Sequence, residues 1–116
     1  MRHRNKGKIL DRKKAPREMM LRNLASSLLM YEKVKTTEAK AKTVRTLVER
    51  LITVSKKGDL AARRKLISTL PQPLAVKKAM DVLGERYKTR EGGYTRIVKL
   101  GSRLGDGASV VQIELV

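Results

Sequence analysis

The sequence predicts an α+β fold in a single domain, ordered helix, strand, three helices and two strands, with an extended basic arm ahead of it. Three observations carry this expectation. Between Arg17 and Leu83 the apolar residues recur mostly at helical spacing. After Gly92-Gly93 the pattern changes to strand-like alternation, and residues 1–15 are dense in Arg and Lys with little apolar material to bury. At 116 residues the chain suffices for one core but not for two independent ones.

The elements follow in order. Residues 1–15 (MRHRNKGKILDRKKA) hold only Ile9 and Leu10 as large aliphatics after Met1, so this arm is expected to be disordered in isolation and the globular part to span 16–116. Pro16 offers a first-turn residue for a helix running to about Tyr31. Met20, Leu21, Leu24, Leu28 and Tyr31 share its apolar face, and Arg22, Asn23 and Ser26 lie away from it. Lys33 to Thr37 has β-branched residues at alternate positions and reads as an edge-like strand. Thr37 then caps the longest helix, about Glu38 to Lys57, with Ala41, Val44, Leu47, Val48, Leu51 and Ile52 on one side and Gly58 as a left-handed stop.

Asp59 caps a shorter helix carrying Leu60, Leu66, Ile67 and Leu70, which Pro71 ends. In the next helix Val76, Ala79, Met80 and Leu83 face inward, and Gly84 closes it early unless Glu85 to Tyr87 extend it. Tyr94 to Leu100 and Val110 to Val116 form a β-hairpin about the turn Gly105-Asp106-Gly107, with Val111, Ile113 and Leu115 on its buried face.

Composition narrows the function. Hydrophobic residues are 41% of the chain, enough for a globule, but Lys and Arg number 28 against 11 Asp and Glu, a formal charge of +17. Such an excess repels itself unless an anionic partner offsets it, and a phosphate polymer does so with release of condensed counterions. A membrane partner would call for a basic amphipathic helix bearing Trp or Phe, and the chain has neither residue. With no Cys, disulfides and thiolate chemistry are excluded. No apolar run is long enough to span a bilayer or follow the basic N-terminus as a secretion signal, so a cytosolic protein is expected.

Nothing points to catalysis. The single histidine, His3, lies in the arm; no metal-ligand spacing or phosphate-cradling glycine loop is present; and the carboxylates are scattered among cations. Three basic clusters point to binding instead. They are Arg2 to Arg17; Lys33, Lys35, Lys40, Lys42 and Arg45; and Arg86, Lys88, Arg90, Arg96, Lys99 and Arg103. A fourth, Lys56, Lys57, Arg63, Arg64 and Lys65, reads as an ordinary solvated face. With three tyrosines as its only aromatics, the chain has no stacking platform for single strands; Tyr31 is assigned to the core, and Tyr94 is a candidate to pack on a sugar or base. Composition leaves open whether the polyanion is folded RNA or, for a small architectural protein, DNA. A metal-dependent nuclease would need a carboxylate cluster that is not apparent.

Particular residues go further. Met1-Arg2-His3-Arg4 with Gly7 and Leu10, then Val34-Lys35-Thr36-Thr37-Glu38-Ala39-Lys40-Ala41-Lys42, then Arg86-Tyr87, Gly92-Gly93-Tyr94-Thr95-Arg96-Ile97, Gly105-Asp106 and Ile113-Glu114-Leu115-Val116 stand in one order at compatible spacing. Together they resemble the L-seventeen family of bacterial large-subunit ribosomal proteins over essentially the whole chain. Two departures are Pro16-Arg17, where members usually have His-Arg, and Ala108-Ser109, where they often have Ala-Pro.

The resemblance implies a small mixed three-stranded sheet packed on helices. It implies a structural constituent of the large ribosomal subunit that binds and bridges segments of large-subunit ribosomal RNA, supporting assembly and translation in the cytoplasm. It also implies contact with the neighbouring L-thirty-two protein, and no enzyme activity, cofactor, metal, membrane, small-molecule substrate or homo-oligomer. The residues expected to meet RNA are Arg2, His3, Arg4, Lys6, Lys8, Arg12, Lys13, Lys14, Arg17, Arg22, Lys33, Lys35, Thr36, Thr37, Lys40, Lys42, Arg45, Arg90, Tyr94, Arg96, Lys99 and Arg103.

Overall fold

A computed structural model describes residues 14–116; the arm's residues 1–13 lie outside the described residues. Helix α1 (Lys14–Tyr31) leads into strand β1 (Lys33–Thr37), then α2 (Glu38–Ser55) and α3 (Leu60–Thr69). Helix α4 (Pro73–Lys78) continues through a π-helical turn (Ala79–Leu83) into a last turn, α5 (Gly84–Arg86), before strands β2 (Thr95–Ser102) and β3 (Ser109–Leu115). The order expected from the sequence is thus observed. Lys14 and Ala15, read as part of the arm, are helical.

The sheet runs β1-β3-β2, and both ladders are antiparallel, not mixed. The physical reason is the connection: a short hairpin joins β2 to β3, and β1 pairs with β3 on its other side. A bulge between Lys99 and Gly101 bends β2. Val111, Ile113 and Leu115 point from the central strand into a core shared with Val44, Val48, Leu51 and Ile52 of α2 and Leu28 and Leu29 of α1.

Helix α1 differs from its expected orientation. Ala25, Ser26, Leu28 and Leu29 are its buried residues, and Tyr31 is 68% exposed. The buried face is turned by roughly 100°, one residue's rotation, because α1 is covered by α2, α4 and β1 together and not along a single stripe. Ser26 is carried inward with it, and its hydroxyl has no partner among the described residues. In α3 only Ala62 and Leu66 are buried; of the aliphatics that this helix carries, Leu60 and Ile67 are 61% and 58% exposed.

Gly84 does not end its helix. Its N–H donates to the Ala79 carbonyl five residues back, and a Cβ at this position would lie 2.8 Å from the Ser55 carbonyl oxygen. Only glycine lets the π-helical turn meet the end of α2 this closely. Gly58 and Asp59 behave as expected. Gly58 has φ +67°, and the Asp59 carboxylate accepts from the Ala62 N–H at 2.8 Å.

Candidate nucleic-acid interface

The interface begins with the alternation of β1. Val34 packs toward the core, which sends Lys33 and Lys35 to the outer face of the sheet. Register places Lys33 opposite Glu114 and Glu114 opposite Arg96, so these three form one row across the strands. Arg96 reaches Glu114 at 2.9 Å. Hydrogen bonds from Gln112 and then Arg96, with the Lys33 charge adding to them, hold the Glu114 carboxyl below its usual range. The row therefore carries two cations around one acid.

At the next corner β1 turns directly into α2, and Lys35, Thr36, Thr37, Lys40, Arg103 and Val110 line a cleft of about 320 Å³. Thr37 is the N-cap in extended conformation (φ −74°, ψ 155°), but its hydroxyl makes no bond to the helix N–H groups. The cleft thus combines two ammonium groups, a guanidinium, two hydroxyls and the positive end of an 18-residue helix. The neighbouring acid is already engaged: Glu38 pairs with Lys42 at 3.1 Å, and that lysine first, then the nearby Ser109 hydroxyl and the Lys99 charge, hold its carboxyl below its usual range. Arg103 is anchored by Asp106, whose carboxyl is held at about 2 by that guanidinium and by the Ala108 N–H. The arrangement suits a fixed anion with several oxygens, such as a backbone phosphate.

Members of the second and third clusters that lie more than fifty residues apart in sequence thus meet at one end of the sheet: Lys35, Lys40 and Lys42 from the one, Lys99 and Arg103 from the other. Lys14, Arg17 and Arg22 lie on α1, and Arg45 is exposed on α2. Arg90 folds onto its own turn, donating from Nε to the Gly93 carbonyl at 3.2 Å. Arg2, His3, Arg4, Lys6, Lys8, Arg12 and Lys13 lie outside the described residues.

Tyr94 requires a correction. It is 1% exposed, packed against Tyr87 at 5.1 Å between ring centroids, with its hydroxyl near Lys56 and Thr53. Its backbone N–H donates to Glu49. The ring is core and cannot reach a sugar or base. Arg86 stays exposed but is not a free cation of the third cluster, because both of its terminal nitrogens are turned to Glu32. Val110, which the sequence reading placed only in a strand, lines the cleft; its parity with the outward Gln112 and Glu114 was the available signal. Ser109 gave no such signal.

Chemistry of another kind has little footing. The larger cavity, about 570 Å³ between α2, α3 and the loop before β2, is lined by Leu47, Leu51, Val54 and Tyr94. Its carboxylate, Glu49, is spent on the Tyr94 N–H and the Thr95 hydroxyl. Among the described residues no group of three or more His, Cys, Asp or Glu could hold a metal ion, and no helix is long and apolar enough to cross a membrane.

Comparison with known proteins agrees with this surface. The family profile described as Ribosomal protein L17 matches residues 20–116. The large ribosomal subunit protein bL17 of Syntrophotalea carbinolica is 49% identical over the whole of this chain and 75% of its own length. That of Caldanaerobacter subterraneus is 49% identical over the full length of both, and that of Solibacter usitatus 52% identical over the whole chain and 77% of the relative. A match of this extent, on a fold whose conspicuous surface is cationic, establishes that the chain belongs to the ribosomal protein L17 family, as a structural and non-enzymatic component of the bacterial large ribosomal subunit.

Proposed function

We propose that this chain binds large-subunit ribosomal RNA through its phosphates and bridges separate RNA segments, fixing their relative orientation during assembly. The cleft between β1, α2 and the β2–β3 turn is the centre of the contact, and the outer row of Lys33 and Arg96 extends it. Lys42 and Lys99 add charge beside it, and Lys14, Arg17, Arg22, Arg45 and, with its guanidinium released from Gly93, Arg90 supply further contacts elsewhere on the surface. The arm, with Arg2, His3, Arg4, Lys6, Lys8, Arg12 and Lys13, inserts between RNA helices and exchanges chain entropy for charge-assisted bonds.

The observation that carries the reading is convergence. Cations far apart in sequence are brought to one cleft that also presents hydroxyls and a helix N-terminus, and neither Lys35 nor Lys40 is paired with a carboxylate among the described residues. Recognition by shape and phosphate suits a surface without exposed stacking rings at its centre. A protein neighbour, the L-thirty-two protein that the family resemblance implies, completes the setting.

Salt tests this directly. If about six to ten phosphates are engaged, affinity for isolated large-subunit RNA falls roughly 10³- to 10⁵-fold between 50 and 200 mM monovalent salt. Binding that is nearly indifferent to salt over that range would remove the phosphate mechanism.

A further inference from the structure

The outward face of α3 holds a pattern that phosphate binding leaves unused. Leu60 and Ile67 are 61% and 58% exposed. Seven residues apart on a regular helix, they stand about 20° from each other around the axis and about 10 Å apart along it. By the same geometry Arg63 falls about 60° to one side of Leu60 and Arg64 about 40° to the other, so two aliphatic side chains lie between two arginines. Ala62 and Leu66, on the far side, already anchor the helix to the body. Neither Arg63 nor Arg64 makes an ion pair among the described residues.

We infer that this face of α3 docks a segment of another large-subunit protein, one that presents aliphatic side chains flanked by carboxylates. Charge complementarity selects the partner. An aliphatic strip gains by being covered with apolar groups, which a phosphate backbone does not offer; on a peptide that offers them, the anions that can pair with the flanking arginines in two-pronged geometry are carboxylates. A second copy of the chain is disfavoured because it would set the same arginines, on a molecule of charge +17, against each other. This surface lies on a different element from the cationic cleft and does not depend on the RNA reading.

A photo-crosslinking residue at position 67 of the full chain, in purified large subunits, tests the assignment. The expected product is a crosslink to another ribosomal protein, mapped to a peptide with Asp or Glu beside aliphatic residues. A crosslink to ribosomal RNA, to a second copy or to a peptide lacking acids, or no crosslink, overturns it. A second measurement guards against a trivial loss of folding. The double variant Leu60→Ser, Ile67→Ser should unfold at the temperature of the parent and bind isolated RNA equally well, yet wash out of subunits at least about tenfold more readily. Unchanged retention, with the fold intact, overturns the proposal, and a change in RNA affinity assigns the face to RNA instead.

Discussion

At the end of α1, Lys78 and Arg86 close on the carboxylate of Glu32, each with a nitrogen 2.9 Å from Oε2, and Lys78 also reaches the Met30 carbonyl at 2.8 Å. At the start of α2, Lys35 and Lys40 face a cleft and bind no carboxylate among the described residues. The residue types are the same and the uses are opposite. Glu32 stands at φ +69°, just past the helix, where its N–H completes the last turn of α1 onto Leu28 and its carbonyl accepts from Leu115 of β3. Its two cations tie that junction to α4 and α5, so their charge is consumed in holding elements together. Lys56 behaves likewise, donating to the Arg90 carbonyl and the Tyr94 hydroxyl. The two cleft lysines have no such internal partner among the described residues and are left for an external anion, while Arg103 beside them is held in place by Asp106. A basic cluster in a sequence is thus a mixture, and the position of the acids in space separates its two parts.

The sharpest way to test that separation is at the cleft. Lys35→Gln with Lys40→Gln should weaken binding to large-subunit RNA roughly 10- to 100-fold near 0.1 M salt and flatten the logarithmic salt dependence by roughly 1.5 to 2. Thermal unfolding should be unchanged. An unaltered salt slope would show that these lysines do not meet phosphate.

A smaller effect is expected where packing alone is at stake. Gly84→Ala would place a methyl group 2.8 Å from the backbone oxygen of Ser55, a partner that cannot swing aside. It should cost about 1–3 kcal/mol in chemical denaturation, with the salt slope of RNA binding preserved. Equal stability would mean that the π-helical turn can relax without loss.

Smallest is the Glu32 junction, whose ion pairs are partly exposed and solvent-screened. Glu32→Gln should cost about 1 kcal/mol at neutral pH and leave the salt slope as it was. Arg86, then Lys78, hold the Glu32 carboxyl at about 2 against an ordinary 4.5. A depressed carboxylate contributes stability that is present above about 4.5 and lost as pH falls toward 2. Unfolding curves of parent and variant should therefore converge near pH 2; a gap that persists there would assign the effect to packing.

Much of the fold was legible because each element has its own period and punctuation. Ala41, Val44, Val48, Leu51 and Ile52 face the core of α2 as their spacing requires, and Val111, Ile113 and Leu115 do so for β3. The failures share a cause. Tyr31, Leu60 and Ile67 are apolar residues at helical spacing, yet local pattern does not reveal how many neighbours a helix has or on which sides they lie. Helix α1 has partners around more than one face and buries Ser26; α3 has so few that Leu60, Ala61 and Ile67 stay outside. Tyr94 shows the converse: beside Gly92-Gly93 it looks like a loop residue, but Tyr87, seven residues before it, and Lys56, far from it in sequence, enclose it.

By itself the sequence determined the helices and strands, the surplus of positive charge and the family, since these depend on local periodicity, composition and residue identity in order. The tertiary structure alone decided that the sheet is wholly antiparallel, that Lys35 and Arg103 share a cleft while Arg86 is taken up by Glu32, and that α3 keeps an aliphatic face outside. Those outcomes depend on which side chains come within a few ångströms of one another, and Coulombic and packing energies follow that distance, not separation along the chain.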